Sequence, residues 1–193
     1  MRKIIYSVVG LAFINSSNSA IINGFGETQS SGISADLGNF IENGNFIEPQ
    51  MKNKVENTKN NLPGWTSDEI ERGLGTIYNP SWGNIVVVEL DGHHNNILKQ
   101  RISLKPGHYL LSFRWAGRTS HITSSAMSIY WNNQKIFEVS AKDKSIHSES
   151  IPISVPCSGD YILEVKGEGK SDTFGMTVTN FKLTKDLSKQ IIP

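Results

Sequence analysis

Cysteine is almost absent from this sequence: Cys157 is the only one in 193 residues. A single thiol closes no intramolecular disulfide. The small disulfide-stapled secreted scaffolds are therefore excluded, and a packed core must hold the fold. Cys157 itself, just before Ser158-Gly159, reads as a half-buried thiol at a turn. Charge of one sign is also lacking. Lysine and arginine number 19 against 18 acidic residues, a formal net charge of +1. Such a balance carries no electrostatic footprint for nucleic acid or an anionic membrane. Helix signals are poor. Ser67-Asp68-Glu69-Ile70-Glu71-Arg72 begins like a capped helix, but Gly73 and Gly75 follow at once, so a short turn or strand is expected. Catalytic signatures are missing too: no Gly-x-Ser-x-Gly, phosphate loop, dinucleotide fingerprint or His-Glu-x-x-His occurs.

Long apolar runs are the last absence. A bilayer span needs about 20 apolar residues, and none is found. The Ile4–Ile14 stretch is broken by Ser7 and Gly10, follows Arg2-Lys3, and leads to Asn18-Ser19-Ala20. Positive start, short apolar run and small-residue exit form the order of a secretory signal peptide over residues 1–20. Its loss takes the formal charge from +1 to −1 and leaves a chain expected to be soluble, and secreted, periplasmic or extracellular. The one Asn-x-Ser/Thr acceptor, Asn15-Ser16-Ser17, falls inside that segment. This suits a bacterial envelope protein better than a glycosylated eukaryotic one.

What remains has a simple organisation. Residues 21–38 are rich in Gly, Ser, Asn and Thr and read as a flexible leader. Residues 39–185 form one block, and 186–193 a short polar tail. The block alternates with period two. Tyr109, Leu111, Phe113 and Trp115 share one face, with Leu110, Ser112 and Arg114 on the other. Met127, Ile129 and Trp131 alternate in the same way, as do Ile151, Ile153 and Val155, then Tyr161, Leu163 and Val165. Val86–Leu90 ends at the Asp91-Gly92 turn, and Lys135–Val139 follows Asn132-Asn133. In the last strand the pattern slips from Met176 and Val178 to Phe181 and Leu183, which predicts a bulge near Thr179-Asn180. Many short strands with turns between them indicate an all-β sandwich or barrel.

An ordered set of segments then resembles a known family. Asn43-Gly44-Asn45-Phe46 comes first, followed by Leu62-Pro63-Gly64-Trp65, Ile70-Glu71 and Val88-Glu89-Leu90-Asp91. Tyr109-Leu110-Leu111-Ser112-Phe113 and Ile129-Tyr130-Trp131-Asn132 complete it. Over about residues 39–184 the set resembles the galactose-binding-domain-like jelly rolls of bacterial secreted and surface proteins, including carbohydrate-binding modules of the CenC type. The resemblance implies a two-sheet antiparallel jelly-roll β-sandwich. It also implies glycan binding on one sheet face or in the loops at one end. Many such modules hold a structural calcium through an acid just after Asn-Gly-x-Phe and an Asp in the last strand. Ile47 and Thr179 stand at those positions, and neither is a carboxylate, so no cofactor is expected. Glu48, one residue along, leaves only a shifted calcium site open.

Parity along the strands selects candidate ligand-binding residues. With Val86, Val88, Leu90, Leu111, Phe113, Trp115, Met127, Ile129 and Trp131 inward, Val87, Glu89, Ser112, Arg114, Ser128 and Tyr130 point outward. In one sheet, Glu89, Arg114 and Tyr130 would form a sugar-binding kit: carboxylate and guanidinium for hydroxyls, an aromatic ring for the pyranose face. The alternative is a Glu89–Arg114 ion pair on a solvated sheet, contributing roughly 0.2–1 kcal/mol. Trp65 is expected to plug the core. Tyr78 and Trp82 sit in a turn-rich loop, either as a ligand platform or as a cap over the sandwich end. Arg118 and His121 are further ligand candidates, against the alternative of a solvated loop. His93-His94 follows a turn with no further ligand set, so a surface turn is expected rather than a metal site. The leading expectation is a non-catalytic, lectin-like module whose partner is an extracellular or cell-surface glycan. A protein-binding or structural envelope component is the second reading. A glycoside hydrolase is the third, and a clustered, partly buried carboxylate pair would be its mark.

Overall fold

The alternation seen in the sequence becomes ten strands among the described residues. The computed structural model describes residues 38–59, 62–118 and 122–189. The expected signal peptide and leader therefore lie outside the described residues, save Gly38. The strands are β1 (Val55–Thr58), β2 (Ile70–Leu74), β3 (Val86–Glu89), β4 (Ile97–Leu104) and β5 (Gly107–Gly117). They continue as β6 (Ala126–Trp131), β7 (Gln134–Ser140), β8 (His147–Val155), β9 (Gly159–Gly167) and β10 (Met176–Lys185). Two antiparallel sheets result. One has the order β1-β2-β3-β10-β5-β8, the other β4-β9-β6-β7. Only β1–β2, β2–β3 and β6–β7 are consecutive in one sheet; every other connection crosses between sheets. That is an all-β, jelly-roll sandwich. No helix among the described residues is long and apolar enough to cross a membrane.

The core lies between the sheets and uses the predicted parity. Val88, Leu90, Leu111, Phe113, Trp115, Met127, Ile129 and Trp131 are all buried there. Each such side chain contributes about 1.5–3 kcal/mol relative to exposure. Trp65 is the expected plug: it lies against Phe46 and Phe181, with ring centroids 5.3 and 5.6 Å away. The predicted bulge is present in β10. Its register against β5 shifts between Thr179 and Lys182, and Asn180 takes a positive φ of 58°. The extra residue turns Phe181 and Leu183 inward, in line with Met176 and Val178.

Two expectations need correction. Val87, Glu89 and Ser128 point away from the main core yet are buried. Parity gave their direction correctly; exposure also depends on what lies above the sheet. Arg72 is the converse case. It points inward between Ile70 and Leu74, where it donates to the Phe46 carbonyl at 2.9 Å and to Glu56 at 2.8 Å. Cys157 is exposed rather than half-buried, as are its neighbours from 156 to 160, with Sγ 3.7 Å from the Tyr161 hydroxyl.

Candidate functional site

The outer face of the six-stranded sheet gathers most of the candidate residues. Register places Glu89 of β3 between Glu71 of β2 and Thr177 of β10, while Thr177 lies opposite Ala116 of β5. One pleat along, Thr179 of β10 lies opposite Arg114 of β5. The 75–85 segment folds over these rows as a helical turn, Gly75–Tyr78, and a 3-10 turn, Pro80–Trp82. Its path follows from local chemistry. Asn79 accepts from Ser81 N at 3.1 Å, Pro80 opens the second turn, and the Asn79 amide donates to Lys144 O at 2.9 Å. Gly75 is required, because a Cβ there would come within 2.3 Å of the Trp82 Cβ.

This segment makes a second, smaller core on the outer face: Tyr78, Trp82, Val87 and Ala116. The Trp82 indole donates to Thr177 Oγ1 at 2.9 Å, and that hydroxyl donates to Ala116 O at 2.8 Å. The Tyr78 hydroxyl donates to Glu71 at 3.0 Å. Burial, with help from Glu71, raises the Tyr78 phenol well above its ordinary range. Of the two roles open to Tyr78 and Trp82, the observed position is a cap, laid over the outer sheet face rather than the sandwich end: they are 1% and 4% exposed.

Glu89 ties the cap to the end loops. Its carboxyl is 0% exposed, accepts from Arg118 Nη1 at 2.5 Å and from Gly175 N at 2.8 Å. Burial pushes it up to about 8, against the opposing pull of Arg118 and the Gly175 N–H; neighbouring Glu71 acts in the same direction as burial. Arg118 also donates to Thr173 O at 3.2 Å, and its guanidinium lies 5.2 Å from the Tyr78 ring and 4.7 Å from that of Phe174. Two residues after Glu89, buried Asp91 accepts from Asp172 N and Thr173 N at 2.8 and 3.0 Å. The loops after β5 and β9 are thus anchored on two acids at the end of β3. The Arg118 side chain remains 21% exposed.

Five of the seven candidates, Glu89, Arg114, Tyr78, Trp82 and Arg118, therefore converge. Arg114 sits 5.2 Å from the Trp82 ring and makes no ion pair among the described residues. It does not meet Glu89, because β10 lies between β3 and β5. The proposed Glu89–Arg114 pair is replaced by Glu89–Arg118. Tyr130 does not join either. The connection after β5 crosses to the other sheet, where β6 lies between β9 and β7. There Tyr130 faces Glu164 and Lys135 across the strands, with the Lys166 ammonium 4.2 Å above its ring. Lys99 and Lys166 both pair with Glu164, at 2.7 and 3.5 Å, so this face is a charged ladder. His121 lies outside the described residues.

His93 and His94 are a surface turn: they are exposed, and both approach Glu69. Among the described residues no group of three or more His, Cys, Asp or Glu is placed to hold a metal. The positions of the family calcium do not fit one. Ile47 offers no oxygen from its side chain, the Thr179 hydroxyl donates to Val86 O at 2.8 Å, and the Phe46 carbonyl takes the Arg72 guanidinium. Glu48 is exposed, its backbone held by Asn43 at 2.8 and 3.1 Å. Sequence reasoning missed Thr177, Phe174 and Asp91 as parts of this end. Thr177 was legible as an outward residue of β10; the other two act through loop contacts that no local pattern encodes.

No protein-family model matches the sequence, and no curated protein matches it. Among solved structures, the chain is similar in fold to the carbohydrate-binding module TmCBM61, solved with β-1,4-galactotriose: 14% identity over 77% of this chain and 99% of that one, TM-score 0.45. It is similar to a family 35 carbohydrate-binding module from Paenibacillus barcinonensis, at 18% identity over 68% and 99%, TM-score 0.41. It is also similar to the K1 cleaved adhesin domain of Lys-gingipain from Porphyromonas gingivalis, at 13% identity over 69% and 99%, TM-score 0.48.

Proposed function

We propose that this chain is a secreted, non-catalytic glycan-binding module, with residues 1–20 as its signal peptide and the capped end of the six-stranded sheet as its ligand site. The observation that carries this reading is the pair of guanidiniums held over aromatic rings. Arg114 lies over Trp82, and Arg118 lies over Tyr78 and Phe174 while pinned by Glu89. An arginine fixed in this way presents its remaining N–H donors in one direction, which suits sugar hydroxyls and lowers the ordering cost of binding. In this reading Arg114 and Arg118 touch the glycan, and Tyr78, Trp82 and Glu89 hold them in place.

A glycosidase would be marked by a clustered, partly buried carboxylate pair, and Glu71 with Glu89 is one, but both members are taken up within the fold. Glu71 and Glu89 are neighbours across β2 and β3, but Glu71 accepts from the Tyr78 hydroxyl and Glu89 from Arg118 and Gly175. Affinity electrophoresis of the full chain through gels containing neutral and acidic plant and bacterial polysaccharides tests the proposal. Retardation by at least one polymer, lost in Arg114→Ala, is expected. Unretarded migration in every gel would contradict it.

A further inference from the structure

A second feature lies farther along β10, at its bulge. Two clefts adjoin there and share Asn45 and Asn180. One is framed by Asn45, Asn84 and Asn180, with Ile47 and Ile85 beside them, and no charged side chain lines it. The other runs on past Asn39 and Asn43 to Lys182. Three separate segments supply the three framing amides: the turn after Gly44, the end of the cap segment, and the bulge in β10.

The floor is rigid. Asn39 accepts from Ile41 N and Leu183 N at 3.0 and 2.8 Å, which ties the entering chain to β10. Phe181 N donates to Gly44 O at 2.9 Å, and a Cβ on Gly44 would come within 2.0 Å of the Phe181 carbonyl oxygen. The turn and the bulge are thus in direct backbone contact. Asn180 holds its positive φ at this point, a conformation asparagine tolerates better than most residues. Asn45 and Asn84 are exposed, and Ile47 and Ile85 are 46% and 36% exposed beside them. Each side-chain amide offers one acceptor and two donors, which matches a hydroxyl that donates and accepts. The isoleucines offer an apolar wall for the C–H face of a ring.

We propose that the Asn45–Asn84–Asn180 cleft is a second ligand site, for an uncharged, polyhydroxylated unit such as a neutral hexose or pentose residue. It does not depend on the end site proposed above. The absence of charge in the lining selects against a carboxylate, which would lose water there without gaining a cation.

Nuclear magnetic resonance of the full chain tests this. Methyl galactoside, methyl glucoside, methyl xyloside and galacturonate are each titrated to about 50 mM, enough to half-fill a site of Kd in the tens of millimolar. The expected result is saturable shifts of the Asn45, Asn84 and Asn180 side-chain amides with at least one neutral glycoside. Those shifts should fall at least threefold in Asn84→Ala. They should also fall in Asn180→Gly, which keeps the positive φ. Three outcomes would overturn the proposal: no saturable shift at these amides, shifts with galacturonate alone, or shifts unchanged in folded variants. Shifts confined to the Trp82 indole would support the end site while refuting this one.

Discussion

Glu89 is the residue on which the capped end turns, and its titration has a definite sign. Its ordinary value is 4.5, and burial raises it to about 8 in the folded protein. Between those values the folded state keeps a proton that the unfolded chain has lost. Stability contributed by Glu89 therefore falls as pH rises through that window. Thermal melts from pH 5 to 8.5 should show the Tm of Glu89→Gln rising relative to the parent as pH increases; parallel curves would contradict the account. The cap itself is tested by Trp82→Ala. Removing a buried indole should cost about 3–5 kcal/mol in urea denaturation. A solvated Trp82 would cost under about 0.5 kcal/mol. At this scale the sequence was partly legible. Parity correctly aimed Glu89 and Arg114 off the main core. It could not show that the 75–85 segment would roof them, because that roof depends on contacts such as Trp82 to Thr177, far apart in the chain.

The strands were the most legible elements, since a period of two depends only on neighbours. The β10 bulge was readable from the slip between Val178 and Phe181 for the same reason. Sheet membership was not. Nothing local to Tyr130 distinguishes β6 in the four-stranded sheet from β6 beside β5, so its grouping with Arg114 failed. β4 also escaped notice, because buried Gln100 interrupts its apolar face; its amide bonds to the backbone of Glu42 at 2.8 and 3.0 Å. The contact between the Asn43–Phe46 turn and the bulge makes an element-scale prediction. Gly44→Ala forces the turn off β10 and should destabilise the protein by about 3 kcal/mol in chemical denaturation. Gly159→Ala, where a Cβ meets nothing within 4 Å, is the control and should change stability far less.

At the scale of the whole molecule, the jelly roll brings two sequence-distant loops, those after β5 and β9, to one end and anchors them on Glu89 and Asp91. The central claim is that this end presents arginines to a glycan. Isothermal titration of the full chain with the polysaccharide that retards it measures this directly, using Arg114→Ala beside the parent. Arg114 has no ion partner among the described residues, so its loss leaves no buried charge behind. The account predicts at least a tenfold weaker Kd, about 1.4 kcal/mol, with an unchanged Tm. Equal affinity of the parent and Arg114→Ala, with both folded, would contradict it.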